Sequence, residues 1–249
     1  GCAYDIGFPE YLPPREGQES FSNALAEARQ KGIHALIYVN QRLWGTTTKS
    51  WKERKAEQFA VHGKDGKIHP ETYNIFNPAP CVAMCMGTDF WHNTLLQIML
   101  PVWRESSVAG FYLDQACSSL PCFATNHGHI PGEKDFWIKG FQQLTLKLRE
   151  GCKDKNTTLS NGKTKELVLA GEGCGEAWLP FLDLFLSLQV SKERYTGGDG
   201  WRSVPLFQAV YHPVAILFGN YASLTEPPYD PLWNKEFAPA EPLKLLDAR

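Results

Sequence analysis

Gly110-Phe-Tyr-Leu-Asp-Gln115 is the stretch of sequence around which the rest of the chain is organised. Residues 109–113 form a short apolar run rich in aromatic side chains, with Ser106 and Ser107 before it and a loop containing Cys, Ser and Pro after it. An apolar run with these boundaries predicts a buried β-strand. Asp114 follows directly, at the point where the strand is expected to open into a loop.

A second carboxylate occupies the same kind of position one predicted helix later. Glu166-Leu-Val-Leu-Ala-Gly-Glu172 is again an apolar run with a carboxylate at its exit. In barrels of alternating strands and helices, the reacting groups lie at the C-terminal ends of the strands. Either carboxylate alone could equally cap a loop or pair with a cation, but the two together make Asp114 and Glu172 the candidate catalytic pair.

The remaining sequence alternates predicted strands with predicted helices. Apolar residues at helical spacing predict helices over 20–31, capped by Ser20 or Ser22, over 88–100, capped by Thr88 or Asp89, and over 135–149. Apolar runs predict further strands over 33–39, 204–211 and 215–219, and a strand or a short helix over 181–188. This alternation favours an α/β fold with a parallel sheet. No predicted strand is followed by G-x-G-x-x-G or a Walker loop, which counts against a nucleotide-binding fold.

We therefore predict a (β/α)8 TIM-type barrel, with residues 1–249 as a single catalytic-type domain. Only five or six strands can be counted, so we expect a partial barrel whose N-terminal strands are missing or irregular, or a piece of a longer protein. Residues 41–86 are a long excursion between strands, and such excursions usually build the rim of an active site.

Composition narrows the classes of partner. The formal net charge of −2 gives no electrostatic basis for binding nucleic acid or an anionic membrane surface. No run approaches the roughly 18 apolar residues of a membrane span. The seven cysteines include no C-x-x-C pair, which favours reduced and mostly buried thiols. Aromatic side chains are plentiful and suit the C–H faces of sugar rings, although packing alone explains any single Trp.

The strand-end motifs resemble those of a known group of enzymes. Gly110-Phe-Tyr-Leu-Asp114, followed one β/α unit later by Gly171-Glu172, resembles the α-amylase clan and its relatives, including the endo-α-N-acetylgalactosaminidases. The chain also resembles, over most of residues 5–220, a bacterial family of glycoside-hydrolase-like TIM-barrel proteins related to that clan. Further segments carry this resemblance: Phe8-Pro-Glu-Tyr-Leu-Pro-Pro14, Ala28-Arg-Gln-Lys-Gly-Ile33, Tyr38-Val-Asn40 and Val210-Tyr-His212.

The resemblance implies a glycoside hydrolase that cleaves an O-glycosidic bond, more often α-linked, in an oligo- or polysaccharide. Asp114 would be the nucleophile and Glu172 the acid/base, as a retaining mechanism requires of two carboxyl groups about 5 Å apart. Glu176 competes with Glu172, because the spacer between them contains two glycines. No cofactor is expected.

The resemblance also implies contacts from Asn40 and His212 to sugar hydroxyls. Where the clan has His-Asp after its seventh strand, this chain has His212-Pro213, so we expect the third carboxylate either to be missing or to be displaced to Asp199. The remaining candidate substrate-binding residues lie in presumed loops or at element ends: Trp44, Glu176, Trp178 and Tyr211.

Cys117-x4-Cys122-x4-His127-x-His129 suggests a different kind of site. Four nitrogen and sulfur ligands within this short segment could hold zinc. The spacing matches no common zinc-ligand pattern, so we expect no metal, and His127 or His129 to line the sugar cleft or lie at the surface.

Two other hypotheses stay open at this stage. The first is a non-catalytic carbohydrate-binding barrel that has lost its activity and needs only one of the two carboxylates. The second is a metal-dependent hydrolase barrel, which would need several histidines at strand ends, where the sequence offers only His34 and His212.

Overall fold

The computed structural model describes residues 7–72, 78–153, 166–173, 175–186 and 206–218. The strands among them are β1 (Leu36–Asn40), β2 (Leu43–Gly45), β3 (Cys81–Ala83), β4 (Gly110–Asp114), β5 (Val168–Glu172), β6 (Leu184–Leu186) and β7 (Ile216–Phe218). The α-helices are α1 (Gln18–Gln30), α2 (Lys49–Glu53), α3 (Asp89–Glu105), α4 (Phe136–Gly151) and α5 (Leu206–Tyr211), with short 3-10 helices at Ala56–Phe59 and Glu176–Trp178.

The main sheet contains five strands in the order β1-β4-β5-β6-β7, and every neighbouring pair is parallel. All five strands therefore end at the same edge of the sheet. This confirms the predicted α/β fold with a parallel sheet. The described strands form an open sheet rather than a closed barrel, so the finer prediction of a (β/α)8 barrel goes beyond what these residues show.

The core lies between the sheet and two long amphipathic helices. Alternate residues of β4 and β5, such as Phe111, Leu113 and Leu169, are fully buried in a cluster with apolar residues of α3 and α4. Gly110 lets β4 and β5 approach closely, because a Cβ there would lie 1.7 Å from the carbonyl oxygen of Val168. The close pairing fixes the relative height of the two strand ends.

The excursion between β1 and α3 contains a small ribbon that the sequence did not predict. Strands β2 and β3 pair antiparallel, with Trp44 opposite Val82. An isolated bridge between Ala60 and Met84 extends the contact. Strands of three residues are too short to produce a hydrophobic period, which is why the pattern did not predict them.

The helix predictions are confirmed in position, with two differences at the ends. Thr88 caps α3 as predicted, accepting a hydrogen bond from the backbone N–H of Trp91, and the helix continues past Pro101 to Glu105. Helix α1 begins earlier than predicted, with Gly17 rather than Ser20 or Ser22 at its N-cap. The predicted strand over 204–211 is wrong, because residues Leu206–Tyr211 form α5. A short apolar run does not by itself distinguish a strand from a buried helix.

None of the described helices is both long enough and apolar enough to cross a membrane.

Candidate active site

Asp114 ends β4 and Glu172 ends β5, side by side at the C-terminal edge of the sheet. The register pairs Leu113 with Gly171, so the next residue of each strand lies at the same height. Neighbouring strands are separated by about 4.8 Å, and residues two apart along a strand share a face. Both side chains are partly exposed. The prediction that the two carboxylates lie together at one edge is confirmed.

Two donors hold a single oxygen of Asp114. The phenol of Tyr38 donates to Oδ2 at 2.6 Å, and the side-chain amide of Asn40 donates to the same atom at 2.8 Å. Oδ1 accepts no hydrogen bond from the part of the chain that the structure describes. The carboxylate is thus oriented through one oxygen, and its other oxygen has a free lone pair.

Asn40 is itself fixed on every side. Its Oδ1 accepts hydrogen bonds from the backbone N–H groups of Arg42 and Leu43, and its own N–H donates to the phenol oxygen of Tyr11. Only 2% of the residue is exposed. The predicted contact between Asn40 and a sugar hydroxyl is therefore wrong in this structure, because the amide is buried and committed to orienting Asp114.

Tyr38 is the residue of this group that the sequence did not single out. It lies two positions before Asn40, on the same face of β1, and the period of two along a strand could have identified it. Burial, together with the hydrogen bond to Asp114, raises the pKa of Tyr38. The phenol is therefore protonated at neutral pH, and it acts as a hydrogen-bond donor.

Gln115 links the two strand ends. Its backbone N–H donates to Oε2 of Glu172 at 3.0 Å, and its carbonyl accepts from the side-chain amide of Gln41 at 2.9 Å. The residue has a φ of 57°, a left-handed conformation that non-glycine residues rarely adopt. Such conformations persist where the surrounding contacts determine them, often at functional sites.

A partly buried ion pair supports Gln115 from the side of the excursion. Arg42, which is only 6% exposed, makes two hydrogen bonds to Glu71, at 2.6 and 3.2 Å. The same guanidinium group donates to the side-chain oxygen of Gln115 at 3.2 Å. The excursion is thereby tied to the loop that follows Asp114. No local sequence pattern predicts this pair, since its members belong to separate segments.

Glu176 is hydrogen-bonded to Tyr211 rather than placed beside Asp114. It lies on the 3-10 helix after β5 and is exposed, and the phenol of Tyr211 donates to it at 2.6 Å. This hydrogen bond raises the pKa of Tyr211. Glu172, at the end of the strand itself, is the carboxylate that adjoins Asp114. His212 is exposed in the turn after α5, and Asp199 lies outside the described residues.

The two predicted tryptophan platforms are buried, so the structure contradicts both assignments. Trp44 is fully buried among Trp51, Phe90 and Trp91, and its indole N–H donates to Thr48. Trp178 is 9% exposed, and its ring is covered by Gly175, where a Cβ would lie 2.8 Å from the ring. Large aromatic side chains contribute most to stability when buried, and here packing prevails over ligand binding.

A cavity of about 540 Å³ lies beside β1. Its walls come from residues 7–15 and from parts of α1, β1, α3 and β4, and it includes Tyr11 and Tyr38 but neither Asp114 nor Glu172. This cavity is therefore adjacent to the carboxylates without containing them.

The cysteine and histidine motif is rearranged by the fold. Cys122, His127 and His129 come together as the sequence suggested, but the fourth member of the cluster is Cys85. Cys117 lies instead against the backbone at Gly173, where a Cβ would be 3.1 Å from that of Cys117.

Known proteins share this fold. An α-N-acetylgalactosaminidase from Bifidobacterium bifidum, NagBb, aligns with a TM-score of 0.66 at 15% identity, covering 86% of this chain and 32% of that one. TtGalA, an α-galactosidase from Thermus thermophilus, aligns with a TM-score of 0.57 at 14% identity, covering 93% of this chain and 52% of that one. At these identities, the likeness establishes the fold alone.

Sequence comparison identifies the family. A protein from Bacteroides thetaiotaomicron named "Putative glycoside hydrolase" is 27% identical over 220 residues, which are 87% of this chain and 30% of that protein. The chain thus spans less than a third of this relative. The model of the family described as "Domain of unknown function (DUF6259)" matches residues 1–222. The resemblance inferred from the motifs is confirmed, and the chain belongs to the DUF6259 family.

Proposed function

We propose that this chain carries the catalytic pair of a glycoside hydrolase. The observation that carries the proposal is the position of Asp114 and Glu172, level with each other at the ends of neighbouring parallel strands. Glycoside hydrolysis requires two carboxyl groups that flank one bond. The name of the Bacteroides relative and the fold shared with two α-glycosidases support the same class.

Asp114 is the proposed nucleophile, acting through Oδ1. Tyr38 and Asn40 orient the carboxylate by holding Oδ2, so Oδ1 can be directed at the anomeric carbon. Attack forms the bond from Oδ1 to that carbon and breaks the bond to the leaving oxygen, which takes a proton from Glu172. Water, giving a proton to Glu172, then attacks the anomeric carbon and breaks its bond to Oδ1. This step restores both carboxyl groups and yields the retained configuration.

The proposed bond is an α-glycosidic one in an oligo- or polysaccharide. NagBb and TtGalA are named as enzymes acting on α-linked N-acetylgalactosamine and α-linked galactose, so substrates of these two kinds are the first to test. We also propose that the five-stranded parallel sheet is part of a (β/α)8 barrel. In such a barrel the C-terminal edge of the sheet, which carries Asp114 and Glu172, is the catalytic face.

The test is a panel of nitrophenyl α-glycosides, with the α-galactoside and the α-N-acetylgalactosaminide compared with the α-glucoside. We expect turnover on at least one of them, and a fall of about 10⁴-fold or more in kcat for Asp114→Asn. The matched control is Asp183→Asn, which changes a carboxylate near the opposite end of β5, where Asp183 pairs with Arg149 and with the backbone of Leu169. Equal activity of Asp114→Asn and the wild type would contradict the proposal. Sugar binding without turnover on any substrate would instead support a non-catalytic carbohydrate-binding protein.

A further inference from the structure

We propose that Cys85, Cys122, His127 and His129 bind a structural Zn²⁺ ion. One ligand atom from each residue lies within 4.8 Å of all the others. Three of the four residues are buried and His129 is partly exposed. Two thiols with two imidazoles form one of the common ligand sets of structural zinc sites. We refer to these residues as the Cys2His2 cluster.

The distances within the Cys2His2 cluster suit a tetrahedral ion. Sγ of Cys85 lies 3.2 Å from Nε2 of His129, and Sγ of Cys122 lies 3.5 Å from Nδ1 of His127. Zinc bonds of about 2.3 Å to sulfur and about 2.0 Å to nitrogen place sulfur and nitrogen ligands roughly 3.5 Å apart in a tetrahedron. An ion can therefore enter with only small side-chain movements.

Each histidine has its second nitrogen on a backbone carbonyl. Nε2 of His127 is 2.7 Å from the carbonyl oxygen of Gln58, and Nδ1 of His129 is 3.1 Å from that of Ile130. A carbonyl can only accept, so these nitrogens carry hydrogens, and in the neutral rings, the form that binds a metal, the nitrogens facing the thiols have lone pairs. Metal-binding histidines almost always show this outer contact, which fixes the tautomer and the orientation of the ring.

Two glycines make room for the cluster. Gly128, between the histidines, has a φ of 79° and turns the chain so that both rings reach the same point. A Cβ at Gly87 would lie 2.8 Å from the ring of His129, so only glycine fits there without a shift. The ring of His129 also stacks on Phe136, with centroids 4.1 Å apart. The backbone at these two glycines thus leaves room for both imidazole rings.

The ion would fasten the loop that follows Asp114. Cys85 comes just after β3, and its carbonyl accepts from the cap residue Thr88 of α3. The other three ligands lie in the loop between β4 and α4. With four protein ligands the site is closed, which is typical of structural rather than catalytic zinc. The proposal thus departs from the expectation of no metal, because it uses Cys85 where the sequence motif offered Cys117.

The first test uses the unaltered, reduced protein. Metal analysis after purification should give about one Zn²⁺ per chain, and X-ray absorption should show two sulfur and two nitrogen ligands. Replacing zinc by Co²⁺ should produce thiolate charge-transfer bands and the intense visible bands of a tetrahedral site. A protein that retains no zinc after incubation with Zn²⁺, or that shows a Cys85–Cys122 disulfide under the same reducing conditions, would overturn the proposal.

The second test separates the cluster from the other thiols. We expect Cys85→Ala and Cys122→Ala to lower Zn²⁺ affinity by more than the 10–100-fold typical of second-shell changes. The controls are Cys81→Ala, a buried thiol on β3, and Cys117→Ala, the cysteine nearest to Cys122 in the sequence, and both should keep the ion. Loss of zinc in Cys117→Ala, or full retention in Cys85→Ala, would contradict the assignment. Neither result depends on glycosidase activity, so this proposal can fail while the proposed function stands.

Discussion

The phenol of Tyr38 donates a hydrogen bond of 2.6 Å to Oδ2 of Asp114, across the pairing of β1 with β4. Asn40 donates to the same oxygen from the same face of β1. Because two donors hold one oxygen of the carboxylate, the direction in which its other oxygen points is also fixed. Strand β1 therefore positions the carboxylate on β4 to which we assign the chemistry.

The first prediction concerns that support. Tyr38→Phe removes one of the two donors to Asp114 and should lower kcat about 10- to 100-fold, since a hydrogen bond to a charged group contributes roughly 1.5–3 kcal/mol. KM should change less, because the phenol does not reach the substrate in the proposed mechanism. Tyr112→Phe is the matched control. It removes a hydroxyl from the adjacent strand, where the ring of Tyr112 lies 6.0 Å from that of Tyr38, but no hydrogen bond to Asp114. Equal losses in the two variants would contradict a specific role for Tyr38.

The second prediction follows from the raised pKa of Tyr38, which burial and the hydrogen bond to Asp114 produce. The pKa of Tyr38 in the folded protein lies above that of an unfolded tyrosine, which is about 10. The stabilisation that the protonated phenol provides is therefore fully present below about pH 10. Above it the unfolded chain loses the proton while the folded chain retains it. The unfolding free energy of the wild type should therefore fall with pH more steeply than that of Tyr38→Phe, by up to about 1.4 kcal/mol per pH unit. Urea unfolding at a series of pH values on both sides of 10 measures the difference, and parallel curves would show that the pKa is not shifted.

The third prediction concerns the ion pair of Arg42 with Glu71. Arg42→Met should destabilise the protein by about 2–4 kcal/mol, because it leaves Glu71 and the side-chain oxygen of Gln115 without their buried partner. Lys139→Met is the comparison, since Lys139 pairs with Asp135 and Glu133 while its own side chain is 58% exposed. Solvent screens such exposed pairs, so this variant should change stability little. Denaturant titration measures both, and similar midpoints for the two variants would refute a supporting role for Arg42.

The fourth prediction distinguishes Glu172 from Glu176. Glu172→Ala should lose most activity on substrates with poor leaving groups and less on activated aryl glycosides, which depart with little protonation. Added azide should restore turnover on activated substrates and give a glycosyl azide of retained configuration. Glu176→Ala should keep its activity and need no azide, because Glu176 is exposed and bonded to Tyr211. Azide rescue of Glu176→Ala in place of Glu172→Ala would reverse the assignment.

The strand ends were predictable from sequence because they depend on local pattern. An apolar run followed by a carboxylate locates both a strand and its exit, and this was enough for Asp114 and Glu172. The parallel sheet followed from the alternation of strands and helices. The caps were less predictable, as the start of α1 at Gln18 shows, because several polar residues near a helix start can serve.

The contacts around the carboxylates were not predictable, because they join segments that are distant in sequence. Arg42 meets Glu71 and Gln115 only after folding, and Cys85 joins His129 in the same way. The burial of Trp44 could not be predicted for the same reason. Tertiary contacts decide whether a Trp in a presumed loop stacks on a sugar or packs in the core, and a single sequence does not show those contacts.

In the proposed mechanism, Asp114 forms the covalent bond to the sugar. The most direct measurement is to trap the glycosyl-enzyme with a fluorinated, activated α-glycoside of the sugar that is turned over, and to locate the label by peptide mass spectrometry. We expect one sugar per chain, attached to the peptide that contains Asp114, and no label in Asp114→Asn. A label on another carboxylate, or turnover with inversion and no trapped intermediate, would contradict it.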